Sequence, residues 1–217
     1  MDLLLYVLEI VFVLFSIIAH EMAHAYMSFF LGDPTPKETG RLTPNPLKHI
    51  DLYGLIFMIL FRVGWAKPVR INSEYYKHRK LGIFLVALAG PAMNIILCII
   101  SLVSAALVIR FGTNYEVVSV ATELLSYFSI INLSLALFNL IPIPPLDGSR
   151  ILGSFMSANA YIGYMKVERY GFMIIFGLLG LDRLLAFFSG KETLFVTALS
   201  YVYEFLVDVV LRIISFI

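Results

Sequence analysis

Long apolar runs decide what this chain can fold into before any single residue is considered. Residues 3–31, 81–109, 120–141, 164–188 and 193–216 are predominantly apolar, and each run exceeds the roughly 20 residues that a helix needs to cross a bilayer core. Of the 217 residues, 60% are hydrophobic and 14% charged, a balance foreign to soluble domains. The expectation is an all-α polytopic membrane protein with about five long transmembrane helices. No polar stretch is long enough to fold separately in water, so residues 1–217 are expected to form a single membrane-embedded domain. The N-terminal run lacks the basic start and small-residue cleavage site of a signal peptide and reads as a retained span. A net charge of +1 argues against nucleic acid as a partner. The single cysteine, Cys98, lies in an apolar run and reads as a small buried hydrophobe.

Between the first two runs the pattern changes. "GDPTPKETGRLTPNPLKH" is rich in Gly, Pro and charge and reads as loop. Residues 52–63 carry an apolar core of about a dozen residues, too short for a comfortable span, which predicts a re-entrant or interfacial segment. "WAKPVRINSEYYKHRK" alternates apolar and polar residues around a proline and predicts a small membrane-associated β-hairpin or sheet. Lys37, Arg41, Lys48, Arg62, Lys67, Arg70, Lys77, Arg79 and Lys80 all fall in this region. The bias of Lys and Arg toward cytoplasmic loops then puts residues 32–80 in the cytoplasm and the N-terminus outside. A true span at 52–63 inverts everything after it. Trp65, Tyr75 and Tyr76 read as interfacial anchors.

Within the first run stands "AHEMAH", residues 19–24. His20 and His24 are four apart and share one face of a helix, one turn above each other. That spacing suits two ligands on one metal ion, and Glu21 beside them suits a general base: this is the H-E-x-x-H pattern of zinc hydrolases. An ionisable group inside the membrane costs about 2.5 kcal/mol or more without a partner, so the motif is not readily explained as decoration. A catalytic zinc site expects a third protein ligand. His49 and His78 sit in charged stretches and read as solvated loop residues, Glu9 lies about three turns from His20, and Glu123, Glu204 and Asp208 are candidates only by being acidic. "NLIPIPPLDGSR" offers Asp147 in a stretch where Pro142, Pro144 and Pro145 forbid regular helix. Non-helical backbone at membrane depth is tolerated where it is buried or lines a wet cavity. On spacing alone Asp147 is equally well an N-cap for the segment that follows.

Together HEMAH, "AGPAMN" and "NLIPIPPLDG" resemble the site-2 family of intramembrane zinc metalloproteases, and "GRLTPNPLKHIDLYG" and "GWAKPVRIN" are similar to its small bacterial members. The resemblance extends over residues 17–152 and leaves the last two runs without a motif. It implies that Asp147 is the third zinc ligand beside His20 and His24, with one Zn2+ per chain. It also implies that Asn94 lies near the zinc and helps hold the substrate or its oxyanion, where the residues alone suggest a Gly-Pro kink with the amide bonded to a backbone carbonyl. Asn139 either binds substrate or ties off freed carbonyls. The wider family often carries PDZ or CBS domains, for which this chain has no room.

The expected activity is hydrolysis of peptide bonds in transmembrane or membrane-adjacent segments, with Glu21 as the base. The expected partners are single-span or membrane-associated protein substrates and the lipid bilayer, and the expected place is the bacterial cytoplasmic membrane with the site in its cytoplasmic half. A transporter usually shows two related halves with paired helix breaks, and no repeat stands out here. A membrane zinc hydrolase of another amide or of a lipid is harder to set aside. For substrate, the expectation is pairing of an unwound chain with Val69, Arg70, Ile71 and Asn72 by strand addition.

Overall fold

The computed structural model describes residues 3–61 and 64–215. Arg62 and Val63, which entered the orientation and re-entrant readings, lie outside the described residues. Ten α-helices are described: α1 (Leu3–Phe30), α2 (Thr35–Glu38), α3 (Pro46–His49), α4 (Leu52–Phe61), α5 (Arg79–Phe111), α6 (Tyr115–Asn139), α7 (Asp147–Ser154), α8 (Ala158–Met165), α9 (Gly171–Ser189) and α10 (Leu194–Ser215). Among the described residues five stretches are long and apolar enough to cross a membrane: Tyr6–Phe30, Arg79–Phe111, Tyr115–Asn139, Ala158–Ser189 and Leu194–Ile214. The fourth is α8 and α9 joined by a 3-10 turn at Lys166–Tyr170. α4 has ten residues and rises about 15 Å, half of a bilayer core.

The centre of the bundle is α5, which packs against α1, α6, α7 and α10. Its buried positions are mostly small: Gly82, Ala87, Gly90, Ser101, Ala105 and Ala106. Without a hydrophobic driving force in lipid, such residues let helix backbones approach closely. One apolar cluster joins Cys98, Leu102 and Ala106 of α5 to Leu133 of α6 and to Val210 and Ile214 of α10.

The expected β-hairpin is absent. Among the described residues there is no strand or sheet, and the one β-type pairing is an isolated antiparallel bridge between Ile50 and Ala66. The physical reason lies in where the amides of the 66–72 segment go. Lys67 N donates to His49 O at 2.8 Å, Pro68 has no amide hydrogen, Val69 N donates to Glu21 at 3.0 Å and Asn72 N to Asp33 at 2.7 Å. The segment is extended, but side chains of α1 and its end take the donors that a ladder needs.

Several residues of the polar loops around it are nevertheless withdrawn from solvent, which corrects the reading of His49. His49 is 0% exposed: its Nε2 pairs with Thr43 O at 2.7 Å. The Arg41 guanidinium, also buried, donates to the carbonyls of Lys48 and Lys67. Tyr76, expected at the interface, is buried, and its hydroxyl lies 2.7 Å from Ser28 Oγ. Asp33 is the hub. Its Oδ1 accepts from Thr35 N at 2.9 Å, and its Oδ2 accepts from Ser28 Oγ at 2.8 Å and Asn72 N at 2.7 Å. Burial pushes this carboxyl up, but the bonds from Thr35, Asn72 and Ser28 outweigh burial and hold it below its ordinary value.

A carboxyl depressed on folding stabilises the native state above its unfolded pKa, and that contribution is lost as pH falls through the folded value. The melting-temperature gap between wild type and Asp33→Ala in micelles should therefore be flat from neutral pH down to about pH 4, near the unfolded value, and close only below it. A gap that closes above pH 5 counts against this role of the ionised carboxylate.

Candidate metal centre

Three side chains from two distant parts of the chain converge. His20 and His24 stand one turn apart on α1, and their Nε2 atoms are 3.0 Å from each other. Asp147 Oδ2 lies 3.1 Å from His20 Nε2 and 3.2 Å from His24 Nε2. Both histidines are buried, 6% and 8% exposed.

The other ring nitrogens decide what this triangle means. His24 Nδ1 lies 2.6 Å from the Val86 carbonyl oxygen, which only accepts, so Nδ1 carries that ring's hydrogen. His20 Nδ1 lies 2.6 Å from Asn94 Oδ1. The Asn94 amide is oriented by its Nδ2, which donates to Ser16 O at 3.3 Å and to Asn132 Oδ1 at 3.0 Å. Oδ1 therefore accepts, and a ring bearing one hydrogen, as a metal ligand must, carries it on His20 Nδ1 as well. Two Nε2 lone pairs and a carboxylate oxygen then face one another, an arrangement that calls for a cation. Tetrahedral zinc with ligands at 2.0–2.1 Å sets neighbouring ligand atoms about 3.3 Å apart, close to the triangle's edges. The donor set fits the metal.

Local sequence explains each placement. The prolines after α6 stop the helix, and the chain re-enters as α7 with Asp147 as its first residue. Leu146 occupies the N-cap position, so the capping role weighed for Asp147 is not the one seen. Gly148 makes the return possible, because a Cβ there would overlap the Leu140 carbonyl. Gly90 of "AGPAMN" was not foreseen as a site residue. A Cβ at Gly90 would fall 2.6 Å from Nε2 and Cε1 of His20 and closer still to His24 Nε2. The absent side chain makes the space that the imidazoles occupy.

Of the remaining predicted residues, Asn94 bonds a histidine of this centre and Glu21 follows one in α1. Glu21 is half-buried beside His20 in α1, and its Oε2 accepts from the Val69 amide at 3.0 Å. Asn94 is fully buried and engages His20 at the ring nitrogen away from the triangle. Asn139 ends α6 and its Nδ2 bonds the Leu135 carbonyl of the same helix at 2.9 Å. Arg70 is exposed and Ile71 half-buried. Asn132, which the sequence reading did not single out, is fully buried and anchors Asn94 to α6 through Phe128 O.

Comparison with known proteins names the class. The profile described as "Peptidase family M50" matches residues 108–181, a stretch that contains Asn139 and Asp147. A Bacillus subtilis protein, YwhC, is 40% identical over 162 residues, covering 73% of this chain and 74% of its own length. The chain belongs to peptidase family M50. Rip2 of Mycolicibacterium smegmatis is 28% identical over 76% of this chain and 64% of its own length. MJ0392 of Methanocaldococcus jannaschii is 27% identical over 80% of this chain and 44% of its own. YwhC and Rip2 carry the name "Putative zinc metalloprotease", and MJ0392 is named a zinc metalloprotease. No solved structure matches. This M50 chain is an intramembrane zinc metalloprotease of the site-2 family, and an integral membrane protein.

The crowding at Gly90 gives a test of the centre. Gly90→Ala should lower zinc content at least tenfold, because the methyl group displaces the imidazoles rather than a flexible chain end. Elemental analysis of purified protein measures it, and full zinc occupancy in a folded variant would contradict the geometry.

Proposed function

We propose that one zinc ion per chain is held by His20, His24 and Asp147, and that the enzyme cleaves peptide bonds of single-span or membrane-associated proteins at the bilayer. The observation that carries this reading is the facing of two Nε2 lone pairs and a carboxylate oxygen whose partner nitrogens are already committed. Zinc bound there supplies Lewis acidity, polarising a scissile carbonyl and making an attacking water acidic near neutral pH.

The chain's own groups do the rest. Glu21 takes the proton of the attacking water and delivers it to the leaving amine. The Val69 amide holds Glu21 Oε2 and leaves Oε1 for the water. Asn94 acts through His20: both of its amide hydrogens are committed to Ser16 and Asn132, so it fixes the ring and its tautomer rather than donating to an oxyanion. Asn139 retains a carbonyl oxygen and one amide hydrogen for the substrate chain.

Substrate backbone lies along Val69, Arg70, Ile71 and Asn72. A transmembrane helix hides its amides and carbonyls in its own hydrogen bonds, so the scissile stretch must unwind and needs replacement partners. Among the described residues the amides of Arg70 and Ile71 make no backbone hydrogen bond, and this extended segment touches the base at Val69. The surrounding lysines and arginines support a cytoplasmic location for the segment in a bacterial cytoplasmic membrane, with the site in the cytoplasmic half of the bilayer.

Glu21→Gln should keep zinc at wild-type content and abolish cleavage of a single-span peptide, while Asp147→Ala should lower zinc and cleavage together. Turnover by Glu21→Gln removes Glu21 as base, and unchanged zinc in Asp147→Ala removes Asp147 as ligand.

Ile71→Pro deletes one amide of the segment. It should reduce kcat/KM at least tenfold with zinc content and melting temperature near wild type. Unchanged cleavage by the folded, zinc-loaded variant moves substrate binding elsewhere.

A further inference from the structure

Two carboxylates hold the 66–72 segment against α1, and the catalytic reading uses only one of them. Glu21 takes the Val69 amide and Asp33 takes the Asn72 amide. The geometry points to Asp33 as a positioning residue for proteolysis: by binding the Asn72 amide it fixes the extended segment that engages Glu21 and lies along the substrate. This rests on the reading of Glu21 as base and of the segment as the substrate track.

The bond pattern separates this role from an ordinary turn. Asp33 Oδ1 accepts from Thr35 N, two residues on, which is the local bond that Asp or Asn makes in many turns. Oδ2 has no part in that turn. It accepts from Asn72 N at 2.7 Å, from a residue remote in sequence, and from the Ser28 hydroxyl of α1 at 2.8 Å. Ser28 is in turn paired with Tyr76 at 2.7 Å, whose ring packs over Gly82 of α5. Asp33 is 0% exposed, and a buried carboxylate is stable only when such donors satisfy it. Residues 69 and 72 are three apart, about 10 Å in extended chain. Tethers at both ends therefore fix where Arg70 and Ile71 lie between them.

Asparagine distinguishes the two roles. Asp33→Asn keeps an oxygen for Thr35 N, preserving the turn, but sets an amide NH2 where Oδ2 faced the Asn72 N–H. Donor then meets donor, and the tether breaks while the metal ligands, none of which touch Asp33, are left alone.

The experiment uses the full chain, zinc-loaded, in detergent micelles. Two readouts are taken: kcat/KM on a single-span peptide, and the rate of trypsin cleavage after Arg70. The Lys67–Pro68 bond resists trypsin, so Arg70 alone reports release of the segment. Asp33→Asn should keep wild-type zinc content, lose at least about tenfold in kcat/KM, the order expected for one hydrogen bond to a charged group, and be cut after Arg70 at least about tenfold faster. Tyr76→Phe removes the hydroxyl beside Ser28 but not the Asp33–Asn72 bond, and should stay within about twofold of wild type in both readouts. A folded Asp33→Asn with wild-type turnover, or with Arg70 as protected as in wild type, overturns the proposal, as does a Tyr76→Phe that matches Asp33→Asn in both. Should Asp33→Asn not fold, Asp33→Glu, which keeps the charge but displaces the oxygens, carries the same readouts: wild-type behaviour in both overturns the proposal, and partial loss in both supports it. If Glu21→Gln retains turnover, the catalytic reading fails, whereas the exposure of Arg70 in Asp33→Asn still reports on the tether.

Discussion

Two imidazole nitrogens 3.0 Å apart, with their ring hydrogens spent elsewhere, repel one another and the carboxylate oxygen beside them unless positive charge lies between. The rest of the structure is arranged around that requirement. Val86 and Asn94, both on α5, commit the far sides of the two rings. Asn132 brings α6 into the same chain of buried hydrogen bonds. Gly90 lets α5 come close enough for this without touching the metal's place, and the proline break after α6 turns Asp147 inward. The imidazoles' supports and the helix packing share one element: α5 packs against α1, α6, α7 and α10 and also carries Val86, Gly90 and Asn94.

Membrane depth explains why so much of the support is fully buried. Asn94, Asn132 and Ser16 are each 0% exposed, in a setting where an unpaired polar group has no water to turn to. A buried network of this kind is favourable only when every member is satisfied, and here each amide nitrogen has a carbonyl or amide oxygen. At the polar end of α1, Asp33 and Arg41 are likewise buried and bonded inside what composition describes as loop, and His49 is buried there with its Nε2 on the Thr43 carbonyl. Their bonds close that loop against the helix end, and the 66–72 segment, the proposed substrate track, is part of the closed structure.

What could be read from the sequence follows from the range of the interactions. The shared face of His20 and His24 was legible because a helix places residues four apart on one side. The five long helices were legible because bilayer thickness sets a minimum apolar length. Asp147 was open on spacing alone, since its approach depends on a proline-broken return across the bundle, and the family resemblance supplied what periodicity did not. Gly90 was hidden because its contribution is an absence of atoms, meaningful only once α1 is known to lie opposite. His49 was misread because polar neighbours suggest solvent, whereas its chain is folded back on itself. The hairpin failed for a related reason: alternation in "KPVRIN" does give extended backbone, but carboxylates rather than a partner strand receive the amides.

That substitution of carboxylates for a partner strand bears on how base and substrate are kept in register. A carboxylate has two oxygens, and Glu21 gives Oε2 to the Val69 amide, so on the proposed mechanism the oxygen left for the attacking water is aimed by the backbone along which substrate would lie. On a separate element, a base would have to find its geometry anew each time an unwound chain entered. Here an entering chain that pairs with the segment is placed relative to Val69, and through Val69 relative to Glu21. Since Glu21 is also one residue from His20 on the same helix, the proposed base is held from both sides, by its own helix toward the two histidines and by the segment toward the proposed substrate track.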